Sequence, residues 1–242
     1  MTSEPHSTAQ MRQARLCGVL YLIGIATAAF AEPYVRGSMI VGTDAAATAA
    51  NILKSERLYR LGGAADLVNL CCDVGVAILL YALLRSAGPA LAMAAAAFRI
   101  VADVCLAIAT FFHFQPLYLL KGAPYLSVFA PAQLQALALE SLKLHNLGYN
   151  VSMVFFAVHT LLLGVLISRS TTLPRLIGWL FLATGACYLV NSFSHLVLPG
   201  LHTPVALLLV GFVSESALAL WLLVRGVKVP RPTPGAMPPV AA

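Results

Sequence analysis

Charge is the scarcest property of this 242-residue chain. Only 10% of its residues are Asp, Glu, Lys or Arg, where a soluble globular domain carries roughly 25%. That shortage excludes an ordinary soluble fold. No polar region separates the long apolar runs that recur from Leu16 to Val224, which excludes a disordered or collagen-like chain as well. The five cysteines, Cys17, Cys71, Cys72, Cys105 and Cys187, lie inside apolar runs and form no Cys-x-x-Cys spacing. They therefore read as small core residues, with neither a zinc nor a disulfide framework. Catalytic signatures are missing too: there is no His-Glu-x-x-His, no Gly-x-Ser-x-Gly elbow, no phosphate-binding loop and no dinucleotide glycine fingerprint.

What remains is apolar. Hydrophobic residues make up 60% of the chain and the mean hydropathy is +0.87, the composition of an all-α polytopic membrane protein whose first partner is the lipid bilayer. The formal net charge of +6, from 15 Lys and Arg against 9 Asp and Glu, reports orientation in a membrane rather than nucleic-acid binding. A hydrocarbon core about 30 Å thick needs roughly 20 residues of helix. Six stretches approach this, over residues 16–31, 61–84, 91–114, 151–167, 176–198 and 205–224, and predict a six-helix transmembrane bundle. None alternates with period two, and Ala-rich windows favour helix over a barrel strand. Arg12 and Arg15 before an apolar run ending Ala29-Phe30-Ala31 also fit a cleavable leader, but five further spans favour a retained helix. The chain divides into an N-terminal segment (1–15), the spanning domain (16–227) and a tail (228–242) whose Pro230, Pro232, Pro234, Pro238 and Pro239 predict disorder.

Orientation follows from Lys and Arg. With the N-terminus inside, the cytoplasmic segments hold eight (Arg12, Arg15, Arg85, Arg169, Arg175, Arg225, Lys228, Arg231). The opposite side holds six, on two long loops, and Arg99 lies within a span. Both termini are expected inside a bacterial cytoplasmic membrane. Thr43 or Asp44 can cap a helix from Ala45 through Ile52 and Leu53 to Leu58, lying along the interface, and Pro131 can open a second one. The alternative is that both are the outer turns of spans two and four. The openings of spans one (Arg15-Leu16-Cys17-Gly18) and five (Arg175-Leu176-Ile177-Gly178) echo one another, which common membrane-edge chemistry explains.

Ionisable groups inside a bilayer are costly and are expected to face the bundle interior. Asp66, Asn69 and Asp73 share one face of span two; Arg99, Asp103, Thr110 and His113 form a stripe on span three. Span four carries His159, with His145 beyond its mouth. Span five carries Thr184, Tyr188, Asn191 and His195, and span six Glu215, with Glu32 and His202 at the outer rim. These describe a polar pocket opening outward. Asp66, Asp73, Asp103 and Glu215 are four anions for one intramembrane cation, Arg99, so they cannot all be ionised and paired with it; Asp103 can pair within the helix, leaving Asp73 or Glu215 for the remaining donors. The candidate ligand-binding set is Arg99, Asp73 and Glu215, then Asp66, Asp103 and His159. The ligand is a small molecule, lipid headgroup or cation. Alternatives are a metal-dependent intramembrane hydrolase using His159 with carboxylates, a proton-coupled carrier, paired haem ligation by His113 and His195, and a network that only fixes helix register. No cofactor is specified. Six spans are few for a transporter acting alone, which makes a homodimer a further expectation.

Several segments resemble a known family. Gly18-Val19-Leu20-Tyr21-Leu22-Ile23-Gly24, Glu32, Val35-Arg36, Asp44 to Leu53, Ser55-Glu56 and Arg60-Leu61-Gly62 resemble the bacterial membrane family catalogued as domain of unknown function 4386. So do Ala97-Phe98-Arg99, Gln133 to Leu137, His145, Phe155-Phe156 with His159, Leu173-Pro174-Arg175 with Gly178, and Glu215 with Leu220 to Val224. The resemblance runs from Arg15 to Val227 and is most specific between Asp44 and Gly62. It implies a multi-span bacterial membrane protein and no particular activity.

Overall fold

A computed structural model describes residues 3–198 and 206–227. His202, the short loop around Gly200 and the Pro-rich tail lie outside the described residues. The structure is all-helical, and no strand occurs among the described residues.

Helix α1 spans Ser3–Ala29 and continues through a π-helical turn, Phe30–Arg36, into a last short turn, Gly37–Met39. Then come α2 (Ala45–Lys54), α3 (Glu56–Leu84), α4 (Pro89–Leu120), α5 (Pro131–Arg169), α6 (Arg175–Val197) and α7 (Ala206–Val224). Five helices are long and apolar enough to cross a membrane: Thr8–Met39, Glu56–Ala87, Pro89–Leu120, Pro131–Arg169 and Arg175–Val197. The apolar segment Leu209–Val224 is shorter.

Each long helix packs on the next in chain order, α3 on α1, α4 on α3, and so on to α7, which packs back on α1 and closes a ring. Glycine makes the closing contact close. A Cβ at Gly18 would lie 2.7 Å from the Ala219 carbonyl oxygen and 2.8 Å from the Leu223 nitrogen, so no larger residue allows α1 and α7 to meet at this spacing. The end of the ring that holds the start of α1 is called the near end, the other the far end. The near end is filled by a core that includes Cys17, Leu80, Ile167, Phe181, Leu218 and Leu222. A smaller core of Val35, Met39, Ile52, Tyr59, Leu117 and Leu142 fills the far end. Polarity is inverted relative to a soluble bundle. On α4, Val104, Ile108 and Phe111 point outward, Phe111 at 74% exposure, while Arg99 and His113 point inward at 1% and 0%.

The first predicted span ends too early. Pro33 has no N–H and its ring clashes with the preceding turn, yet the chain absorbs it in a π-turn and stays helical to Met39, so Glu32 and Arg36 belong to the bundle and not to a loop. Asp44 does cap α2, its Oδ1 accepting from Ala47 N–H at 2.9 Å. Thr48 Oγ1 donates to the Val41 carbonyl at 3.1 Å and Asn51 Nδ2 donates to the Met39 carbonyl at 3.1 Å, tying the intervening turn to α2. These bonds lie in the segment most specific to the family resemblance. After Pro131 there is no separate element: α5 is one helix of 39 residues, about 58 Å long at 1.5 Å per residue.

Candidate functional site

Two buried polar clusters occupy different levels of the ring. Arginines at the near end provide a ruler: counting 1.5 Å per residue from Arg169 puts His159 about 15 Å and His145 about 36 Å along α5. Counting from Arg85 puts Asp73 about 18 Å and Asp66 about 28 Å along α3.

The inner cluster is built on Arg99. Its Nη2 donates to Asp73 Oδ1 at 2.5 Å, and its Nη1 donates to the Tyr21 hydroxyl and to His159 Nε2, both at 2.9 Å. The rings of Tyr21 and Phe156 lie 4.9 and 5.0 Å from Arg99 Cζ, a cation–π arrangement that favours guanidinium in a dry site. His159 Nδ1 donates to the Ala95 carbonyl at 2.8 Å. Because arginine can only donate, Nε2 is an acceptor and the ring is the neutral Nδ1–H tautomer. Both ring nitrogens are thus engaged. Asp103 lies beside Asp73 and leaves its buried Oδ2 without a hydrogen bond. Glu215 accepts from the Tyr188 hydroxyl at 3.2 Å and forms no ion pair with Arg99 among the described residues. Arg99 therefore pairs across helices with Asp73 and not along its own helix with Asp103.

The outer cluster is built on Arg36. It grips Asp66 with both terminal nitrogens, Nη1 to Oδ2 at 2.6 Å and Nη2 to Oδ1 at 3.0 Å, a two-pronged match of fork and carboxylate. Its Nε lies 3.0 Å from Glu32 Oε1. His113 Nδ1 sits 3.4 Å from Arg36 Nη1, and its Nε2 donates to the Tyr59 carbonyl at 3.1 Å, again a neutral ring held by an arginine donor. The Tyr59 hydroxyl returns a hydrogen bond to the His113 carbonyl, and the two rings stack 4.2 Å apart. Gly63 makes room for this: a Cβ there would meet the His113 and Phe114 rings. His145 Nδ1 donates to the Ala109 carbonyl at 2.9 Å. Its buried Nε2 has no hydrogen bond and lies 3.7 Å from Glu32 Oε1.

A cavity of about 290 Å³ opens at this far end, lined by Glu32, Arg36, Ile40, Gly42, Leu139, Leu142, Lys143, His145 and Asn146. Of the six side chains expected to bind a ligand, none lines it. Arg99, Asp73 and His159 join in the inner network, Asp103 and Glu215 flank that network, and Asp66 stands one layer behind the cavity, gripped by Arg36. Asp66, Asn69 and Asp73 do share a face of α3, with Asn69 Nδ2 donating to the Gly24 carbonyl at 2.8 Å. Arg99 is not the one buried cation of the bundle: Arg36, 4% exposed, is a second. Its signal was Pro33: placing the end of the span before that residue assigned Glu32 to the rim and Arg36 to a loop. For haem ligation, His195 is exposed and His113 has both nitrogens engaged. No group of three His, Cys, Asp or Glu suited to a metal ion occurs among the described residues.

No solved structure matches the chain. An uncharacterized protein of Archaeoglobus fulgidus is 26% identical over 162 residues, covering 65% of this chain and 78% of that protein. The model of the family described as domain of unknown function (DUF4386) matches residues 16–226, and the chain belongs to that family.

Proposed function

We propose that this is a six-span protein of the bacterial cytoplasmic membrane, with both termini inside, that binds a small polar molecule, a lipid headgroup or a cation in its far-end cavity. The observation that carries the reading is the cavity itself: Glu32, Arg36, Lys143 and His145 put ionisable groups in its wall, and its level, about 36 Å from the near-end arginines along α5, matches the headgroup level beyond a hydrocarbon core about 30 Å thick. In this reading α7, 19 residues long, is the sixth crossing, and α2 lies along the outer interface. The inner Arg99 network, mid-membrane on the same ruler, holds helices together, and Asp66 keeps Arg36 in place behind the ligand.

The test is native mass spectrometry of protein extracted from its own membranes. A bound small molecule or lipid is expected on the wild type and lost from Gly42→Leu, a change that fills the cavity wall where a Cβ meets nothing within 4 Å. Equal occupancy in both proteins would sink the assignment. For orientation, a reporter fused at Ala242 should be active on the cytoplasmic side.

A second reading, a proton-coupled carrier, is favoured by Asp73, Asp103 and Glu215 gathering around one guanidinium that can balance only one of them. An imposed pH gradient should then drive proton flux through reconstituted wild-type protein and not through Asp103→Asn. A hydrolase built on His159 requires a metal to displace Arg99 from Nε2. A metal near one per chain that falls in His159→Ala would establish it.

A further inference from the structure

Resting on the reading of the far-end cavity as a ligand site, we infer that its ligand is a zwitterion whose primary ammonium sits between Glu32 and His145 and whose anionic group faces Lys143.

Three observations converge. His145 is 2% exposed and commits Nδ1–H to the Ala109 carbonyl, so Nε2 is the ring position left without a hydrogen-bond partner in the cavity wall, where the neutral form of the ring offers a lone pair. Glu32, 38% exposed at its side chain, meets both Arg36 and His145 through Oε1, which leaves Oε2 without a partner among the described residues. Arg36, the guanidinium nearest Glu32, is already gripped by Asp66 through both terminal nitrogens and meets Glu32 only at Nε, so the Glu32 carboxylate can take a second cation from the cavity side. A ligand that donates hydrogen bonds and carries one positive charge satisfies all three conditions.

A primary ammonium fits this description, with three N–H donors for Nε2, Oε2 and water. A quaternary ammonium brings the charge without the donors. A divalent metal would find two protein ligands, one of them beside a guanidinium 3.0 Å away, which is fewer than metal sites built from protein side chains supply. On the same wall Lys143 pairs with no carboxylate among the described residues, so an ammonium joined to a phosphate or carboxylate engages both ends of the cavity. Ile40, Leu139 and Leu142 line the cavity between the polar groups. This chemistry occurs in a soluble amino-phosphate and in an aminophospholipid headgroup.

The full-length protein is tested in neutral detergent with O-phosphoethanolamine, phosphocholine and glycerol phosphate, and in nanodiscs of phosphatidylethanolamine against phosphatidylcholine, following thermal unfolding. The ethanolamine member of each pair should shift the midpoint upward, and the choline member should not. Glu32→Gln and His145→Phe should each weaken apparent affinity at least tenfold, and Gly42→Leu should abolish the response. A response to the soluble probe identifies a free amino-phosphate; a response in nanodiscs alone identifies the lipid headgroup. Equal responses to ethanolamine and choline probes, or an undiminished response in Glu32→Gln, overturn the inference. If glycerol phosphate binds instead and Gly42→Leu abolishes that binding, the ligand class is wrong and the cavity still binds. Probe responses that all survive Gly42→Leu defeat both. Should Glu32→Gln fail to fold, Gly42→Leu with the paired probes still decides.

Discussion

Arg36 and Arg99 are both almost wholly buried, but their surroundings differ in what they leave unsatisfied. Around Arg99, a carboxylate, a hydroxyl and an imidazole take the two terminal nitrogens and two aromatic faces flank the guanidinium, with Nε left without a hydrogen bond. Around Arg36 both terminal nitrogens are matched by Asp66, while Glu32 and His145 line a cavity, His145 Nε2 without a hydrogen bond. Removing one partner of a buried pair leaves the other charge stranded, so Asp66→Ala is expected to destabilise the protein by about 3–5 kcal/mol. Replacing both partners, Arg36→Met with Asp66→Leu, should recover most of that loss. Reversible unfolding of the wild type and the two variants in one detergent measures this, and a double variant no better than the single one would show that the pair acts through something other than charge balance. The same pair shows where sequence reading ended. Asp66 was identifiable as an intramembrane acid from its own run, but its partner lies thirty positions away, beyond a proline that resembles a helix end.

At the scale of elements, periodicity and length gave the long helices, because an apolar run of twenty residues has few alternatives to helix in a chain this poor in charge. Their ends were less accessible. The π-turn at Pro33 and the continuity of α5 through Pro131–Arg169 depend on packing across the ring, which local spacing does not encode. Pairing across helices is equally non-local. Asp103 stands four residues from Arg99 and was the obvious partner, yet α3 presents Asp73 at a better depth and direction. Glycine at a helix crossing is a readable element-scale signal. Gly18→Val should destabilise the protein by about 1–3 kcal/mol, since its Cβ would meet the α7 backbone, whereas Gly42→Ala should be close to neutral. Comparing unfolding midpoints of the two variants checks the contrast. Equal losses would mean that α1 and α7 do not cross at Gly18.

For the whole molecule, composition announced a membrane protein and the inverted polarity of the ring agrees with it, because outward groups such as Phe111 and Ile108 are apolar while ionisable ones turn inward. Cys71 offers a direct check. It is free and exposed on the outer surface of α3, about 21 Å from Arg85 along the helix, a level that the proposed membrane placement puts within hydrocarbon. In sealed membrane vesicles it should resist a charged maleimide from either side and react after denaturation; labelling in intact vesicles would place that face in water. The order of the buried charges along the chain has a consequence for synthesis. Arg36 arrives on the first helix, Asp66 and Asp73 on the next long one, and Arg99 on the helix after that. A ribosome delivering these helices in turn therefore presents Asp66 and Arg99 each to a counter-charge already made, while Arg36 and Asp73 must each wait one long helix for a partner. An Arg36→Leu chain would leave Asp66 waiting for a cation that never matches its depth, so its defect should appear during insertion, as degradation of nascent protein, before any folded molecule exists to be destabilised.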